Sequence, residues 1–330
     1  HSLALLYACK QITQEIGSHW IGWVLCNFQS PESLLDILTE LPSAKVAAIR
    51  HVRVNGRPVM LSLPHDDVYY RLTWILKLVP HLQLDTLTVL GGSANNISGG
   101  PAQVDYNTLN GLIRHGTGWK ELHYITPNSS ILSFQKTERF RKVYLRQPQP
   151  DAWRSALFQR DGPNSGASVT IYRSKTGTPG SILNHHEKEI FEQNVAPQHL
   201  EDFGLEKDPV LISPGERQKE VLIIVKRGRD ADIMEEVSKP PYDQTYDIRA
   251  LAEDKTWSEI RENYTEGGGG DEYGGGPRLP PVIMDKYGSN AYEIDWADNK
   301  DSDIAGGGGQ SEDWDPARAA DLFRSRFVGF

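Results

Sequence analysis

A few small constellations hold the residue types from which chemistry could be built. His185-His186 with Glu187, Glu189 and His199 is the densest set of metal-ligand types in the chain. Adjacent histidines on a helix point in different directions, and no His-Glu-x-x-His spacing occurs, so the pattern predicts exposed polar residues and no metal centre. Lys226-Arg227-Gly228-Arg229 places three cations directly behind the most apolar strand candidate. Strand ends are where α/β folds often take ligands, which makes Lys226, Arg227 and Arg229 a candidate anion site. The competing expectation is a solvated turn neutralised by Asp230 and Asp232.

Gly162-Pro163-Asn164-Ser165-Gly166 and Lys175–Gly180 are glycine-rich. Neither has the Gly-x-x-x-x-Gly-Lys-Ser/Thr spacing that lets backbone amides cradle a phosphate, and both fall where turns are expected. Asp301, Asp303, Gly306 and Glu312 match positions one, three, six and twelve of a calcium loop, but Ala305 removes a ligand and Gly308 the apolar anchor. No Gly-x-Ser-x-Gly elbow is present, and Cys9 and Cys26 read as buried helix and strand positions. The sequence thus nominates no catalytic residue, no cofactor and no metal, although remote catalytic partners leave no sequence trace.

The elements that would position these residues are more legible. Ser30-Pro31-Glu32 opens a helix carrying Leu34, Leu35, Ile37, Leu38 and Leu41. Ile49–Val54 alternates as a strand and Asn55-Gly56 ends it. Asp66 is placed to cap a helix over Val68–Val79, Leu84–Leu90 reads as a strand, Asp105 caps Tyr106–His115, and Glu121–Ile125 is a third strand. Strand starts near Ile49, Thr86 and Glu121 recur at roughly 36 residues, the signature of stacked units that cannot bury their apolar faces alone. With leucines at the junctions, this is stacking of the leucine-rich-repeat kind, giving an α/β fold with a largely parallel sheet.

Further along, Asp151 starts a helix through Gln159, Ala167–Arg173 is a strand, and His186–Gln193 is a short helix. Val221-Leu222-Ile223-Ile224-Val225 is a continuous apolar run, as in a strand covered on both faces, and Thr256–Tyr264 is a closing helix. The expected organisation is a helix–strand repeat region over 1–147, a smaller α+β extension over 148–263 and an acidic Gly-rich tail over 264–330. From Tyr264 to Phe330 there are thirteen acidic and six basic residues, and 13 of the chain's 30 glycines. Such a stretch buries too little apolar surface to offset its ordering entropy. Within it, Asp313-Trp314-Asp315-Pro316 leads into a short helix over Ala317–Phe327, with Leu322, Phe323 and Phe327 on one face.

Composition excludes several classes. The 330 residues, 38% hydrophobic and 24% charged, describe an ordinary globular chain with a flexible end. A net charge of −9 argues against general nucleic-acid binding. No run approaches the ~18 apolar residues of a membrane span. Two cysteines exclude a disulfide framework, and with nothing else pointing to secretion the expected address is intracellular, cytoplasmic or nuclear.

One resemblance adds to this. Leu5-Leu6-Tyr7-Ala8-Cys9-Lys10-Gln11-Ile12-Thr13-Gln14-Glu15, then Trp23-Val24-Leu25-Cys26-Asn27-Phe28, then Ala48-Ile49-Arg50-His51 resemble the segment that follows the F-box in many fungal proteins. The resemblance covers roughly the first 60 residues. It implies a domain that chooses a substrate for a ubiquitin ligase, hence a protein partner and ubiquitin-ligase components, with no catalytic residue carried over. The expected function is a protein–protein interaction scaffold; the alternative is an enzyme with a pocket at the C-terminal ends of the sheet strands.

Overall fold

The structure, a computed structural model, describes residues 19–63, 66–92, 101–133, 135–139, 142–193, 211, 213–234, 247–251 and 255–264. The motif at Leu5–Glu15, His199, the calcium-like loop and the acidic tail beyond Tyr264 lie outside them. The strands are β1 (Leu25–Phe28), β2 (His51–Asn55), β3 (Val59–Leu63), β4 (Asp66–Tyr70), β5 (Leu84–Leu90) and β6 (Trp119–Thr126). They continue with β7 (Gln135–Arg139), β8 (Lys142–Arg146), β9 (Ser168–Ser174), β10 (Lys188–Ile190) and β11 (Val221–Lys226). The helices are α1 (Pro31–Leu38), α2 (Ser43–Ala48), α3 (Leu72–Ile75) and α4 (Pro101–His115). After them come α5 (Asp151–Asp161), α6 (Pro214–Arg217), α7 (Ile248–Leu251) and α8 (Trp257–Tyr264). No helix among the described residues is long and apolar enough to cross a membrane.

Seven strands form one mixed sheet in the order β1-β2-β5-β6-β11-β9-β10. The first four are parallel and follow chain order, and β11 then pairs antiparallel with both β6 and β9. His51 lies opposite Thr86 and Thr86 opposite Glu121, a step of 35 residues each time. Strands of the second half therefore continue the sheet of the first. The apolar run at Val221–Val225 owes its character to a central position, with neighbours on both edges.

Helices α1, α3, α4 and α5 pack side by side in that order. Leu34, Leu35 and Leu38 of α1, Leu109, Leu112 and Ile113 of α4, and Trp153 and Leu157 of α5 share a core with Val52, Val54, Leu87, Val89, Leu122 and Tyr124 of the sheet. Each large side chain so buried contributes about 1.5–3 kcal/mol. The start of α1 is fixed by a reciprocal cap: Ser30 Oγ accepts the Ser33 N–H at 3.2 Å, and Ser33 Oγ accepts the Ser30 N–H at 3.1 Å. Helix α8 begins the same way with Thr256 and Glu259 and folds back onto α1. There Trp257 Nε1 donates to Asp36 Oδ1 at 2.8 Å and Arg261 pairs with the same carboxylate.

Three sequence expectations are corrected. Residues 66–79 form strand β4 followed by the single turn of α3 and a 3-10 turn, not one helix. Val59 lies opposite Tyr70 and Leu61 opposite Val68, so β-branched and aromatic side chains supply a paired apolar face that outweighs the helical spacing. Burial, with the Asp247 charge adding to it, pushes the Tyr70 hydroxyl up to about 12. Residues 186–193 contain β10, a short edge strand on β9, in place of a helix. Asp105 is not a cap: α4 begins at Pro101, and Asp105 lies inside it and buried.

Candidate functional site

Strand alternation gives the sheet two unlike faces. One carries the core residues named above. The other has no helix row among the described residues, and its side chains fall into transverse rows through the pairing register. The first row is Leu25, His51, Thr86, Glu121, Lys226 and Ser168. The second is Asn27, Arg53, Thr88, His123, Ile224 and Thr170. The third, nearest the C-terminal ends of the parallel strands, is Asn55, Leu90, Ile125, Leu222, Tyr172 and Ile190. Thr86, Thr88, Glu121, His123, Ile125, Ile224, Thr170 and Tyr172 are all half-buried, and Ile190 is 67% exposed.

Charge on this open face is organised locally. His123 Nε2 lies 2.7 Å from Glu121 Oε1, and Lys226 Nζ lies 3.4 Å from Glu121 Oε2. Burial pushes the Glu121 carboxyl up, but the His123 hydrogen bond and the His123 and Lys226 charges outweigh it and hold it below its ordinary value. Beside this group Arg53 Nε donates to Asn27 Oδ1 at 2.8 Å, and Lys188 Nζ sits 4.8 Å from the Tyr172 ring centroid. The surface is a band of threonines and paired charges bordered by an apolar row. It suits contact over a broad area.

The strand ends hold a different arrangement. Asp105 Oδ1 accepts the Gly92 N–H at 2.9 Å and the Tyr124 hydroxyl at 3.0 Å, and Oδ2 accepts the Thr126 hydroxyl at 2.6 Å. A Cβ on Gly91 would meet this carboxylate at 2.6 Å, so only glycine lets the chain pass so close. Burial raises the Asp105 carboxyl above its usual range, against the pull of its three donors. Both oxygens being engaged, the carboxylate fastens α4 to the exits of β5 and β6.

The candidate cations do not converge. Lys226 points along the open face to Glu121. Arg227 turns inward, its side chain 3% exposed, and forms a bidentate pair with Asp161, Nε to Oδ2 at 2.8 Å and Nη2 to Oδ1 at 2.8 Å. Its guanidinium lies 5.6 Å from the Trp119 ring centroid, and the Gly228 N–H adds a third donor to Asp161 at 2.8 Å. Desolvation pushes the Asp161 carboxyl up, and the Arg227 and Gly228 hydrogen bonds outweigh it, leaving it lowered. Arg229 is exposed, its backbone N–H bonded to the Ser165 carbonyl at 3.0 Å. The neutralising acid is therefore Asp161, 66 residues upstream, in place of Asp230 and Asp232.

The loop at Lys175–Gly180 carries its own anion. Glu220 accepts the Gly180 N–H at 2.7 Å and the Ile182 N–H at 3.1 Å. Those amides are of the kind a phosphate would use, and the Glu220 carboxylate, one residue before β11, already fills them. His185 and His186 are exposed with ring centroids 3.6 Å apart, and Glu189 pairs with Arg173. Among the described residues no group of three metal-ligand side chains could hold a metal ion. Cys26 sits on β1, and burial raises its thiol. Sequence reasoning gave Asp105 the wrong role, as a helix cap, and missed Asp161 and Glu220; their partners lie 13 to 67 residues away and leave no local spacing to read. Comparison with family models, with curated proteins and with solved structures finds no match to this chain.

Proposed function

We propose that this chain is a protein-binding module whose helix–strand units stack in the leucine-rich-repeat manner and whose open sheet face receives a protein partner. The setting implied by the N-terminal resemblance is substrate recruitment in an F-box-type protein. One observation carries the reading: among the described residues, a sheet covered by helices on one side has, on the other, three continuous rows of threonine, charged and apolar side chains, mostly half-buried, with Leu222 and Arg53 buried and Leu25, Asn27, Lys226 and Ile190 exposed. Such mixed sheet surfaces suit macromolecular partners, which bury about 800 Å² per side, better than small ligands, which need concave pockets. The repeat element draws support from the 35-residue register step and from the ordered, parallel β1, β2, β5 and β6. Hairpins β3–β4 and β7–β8 are departures, inserted after β2 and after β6.

The test is affinity purification of the full-length protein beside its Ile125→Asp/Tyr172→Asp variant. Ubiquitin-ligase scaffold subunits should co-purify with both forms, and a recruited partner should be lost from the variant alone. If the variant keeps an unchanged unfolding midpoint and every interaction of the parent, the open face is not the binding surface.

A further inference from the structure

Four Ser/Thr-Pro dipeptides occur in the chain, beginning at Ser30, Thr126, Thr178 and Ser213. The fold has already committed three of them. Ser30 Oγ accepts the Ser33 N–H in the cap of α1, and the Thr126 hydroxyl is fully buried and donates to Asp105. Ser213 is half-buried at the start of α6, where its carbonyl accepts the Glu216 and Arg217 N–H groups. Thr178 alone of the four is exposed, and its hydroxyl forms no hydrogen bond among the described residues.

The local backbone holds that hydroxyl outward. Residues 175–179 are consecutive exposed positions just beyond the end of β9, room enough for an enzyme cleft to grip the chain on either side of the acceptor. The Thr178 carbonyl accepts the Ser181 N–H at 3.1 Å. Gly180, at φ 81° and ψ 0°, completes a type II turn with Pro179 at its first central position. Beneath this turn the Glu220 carboxylate takes the Gly180 and Ile182 amides, and the Lys175 N–H bonds the Glu187 carbonyl at 2.7 Å. The loop is thus anchored at its base and open at its tip.

We propose that Thr178 is a phosphate-acceptor site for a proline-directed protein kinase, and that the phosphate loosens the turn by opposing Glu220. The site stands independently of the reading of the open face. Proline at the following position brings no N–H to be left unpaired in an apolar specificity pocket, which is the feature such a kinase selects. In the transfer Thr178 Oγ1 attacks the γ-phosphorus of a nucleoside triphosphate. The new P–O bond forms as the bond to the β–γ bridging oxygen breaks, and the nucleoside diphosphate leaves with that electron pair. The hydroxyl proton passes to the kinase's catalytic carboxylate. The product carries up to about two negative charges. They sit roughly 8 Å from the Glu220 carboxylate, because the acceptor is only two residues from the Gly180 amide that Glu220 holds. Across that gap in water, repulsion favours release of the turn about fourfold at low ionic strength and less in salt.

The experiment incubates the full chain with a mitogen-activated protein kinase, Mg²⁺ and ATP, and locates the phosphate by peptide mass spectrometry. The expected result is phosphate on Thr178, absent from Thr178→Val and formed about tenfold more slowly in Pro179→Ala. Thr126, buried in the same chain, should stay unmodified. No phosphate on Thr178, or phosphate on Ser30, Thr126 or Ser213 in its place, overturns the site. Hydrogen exchange of the Gly180 and Ile182 amides is then compared between phosphorylated and unmodified chains in about 10 mM salt. Both amides should exchange about fourfold faster after phosphorylation. The acceleration should vanish in Glu220→Gln, whose side chain keeps an acceptor and loses the charge. Unchanged exchange in the parent, or an equal acceleration in Glu220→Gln, overturns the opposition to Glu220.

Discussion

Replacing Asp161 by asparagine should be the most damaging single-charge change among the described residues of the fold. The Asp161 and Arg227 side chains are 0% and 3% exposed, so neither has water to fall back on. The substituted amide would keep one acceptor, which the Gly228 N–H can use, but it leaves the Arg227 guanidinium buried against Trp119 without a counter-charge. Breaking one partner of such a pair typically costs about 3–5 kcal/mol, a large share of a marginal stability. The companion variant Arg227→Met strands the carboxylate and should cost a similar amount. The double variant, with both charges gone and the volume nearly kept, should recover at least ~2 kcal/mol relative to the sum of the two. Urea unfolding followed by tryptophan fluorescence measures all three, and the m-value should stay constant.

The sign of the pH dependence is also set. Because the Asp161 carboxyl is lowered on folding, its contribution is full above its unfolded pKa and is lost as pH falls through the folded value. The Asp161→Asn variant should therefore lose less stability than the parent on acidification across that window. A cost below ~1 kcal/mol for Asp161→Asn, together with additive behaviour in the double variant, would refute the claim that this pair anchors β11 to α5.

Four further outcomes follow from the same structure. Asp105→Asn should cost about 2 kcal/mol in urea unfolding, because the new amide N–H₂ faces one of three donors. Its pH dependence runs opposite to that of Asp161: the carboxyl is raised on folding, so its contribution is full below the unfolded pKa and lost as pH rises through the folded one, and the Asp105→Asn variant should decline less over that rise. Glu220→Ala should cost about 1–3 kcal/mol and speed proteolysis within residues 175–186, since the Gly180 and Ile182 amides lose their acceptor. Asp36→Ala should release α8 from α1 at about 1 kcal/mol, read as faster hydrogen exchange in 257–264 with the sheet unchanged. Gly118→Ala, at φ +79° and with the Leu82 carbonyl oxygen 3.0 Å from the new Cβ, should lower stability by about 1–2 kcal/mol in the same assay.

How much of this was legible in the sequence depends on whether the cause was local. The cap at Ser30, the strand at Leu84–Leu90 and the apolar run at Val221–Val225 are written in adjacent residues, and the structure has them. The recurrence near Ile49, Thr86 and Glu121 is legible too, and these segments are neighbours in one sheet. The helix expected over Val68–Val79 fails because pairing with Val59–Leu63 is a tertiary fact that spacing cannot express. The helix expected at 186–193 fails because three edge residues are too few to set a period. Asp105 has the residue type and place of a helix cap, and only Gly92, Tyr124 and Thr126 reveal its actual work. Of the open face, each strand's alternation was readable, whereas the apolar row exists only once the register sets Ile125 beside Leu222 and Tyr172.

The insertion of β11 between β6 and β9 has a bearing on how the polypeptide is made. During synthesis β1, β2, β5 and β6 emerge in the order in which they adjoin, and each can add to its predecessor as it leaves the ribosome. The growing sheet must then stop at β6 with an open edge, because the strand that belongs there is not translated until after β9 and β10. For that interval the nascent chain exposes two unsatisfied borders, one on β6 and one on β9, each able to recruit a stranger. A product terminated before residue 221 would be frozen in that condition. Such fragments should aggregate, and the Val221–Lys226 peptide supplied in trans should relieve it, as a topology that closes from its middle demands.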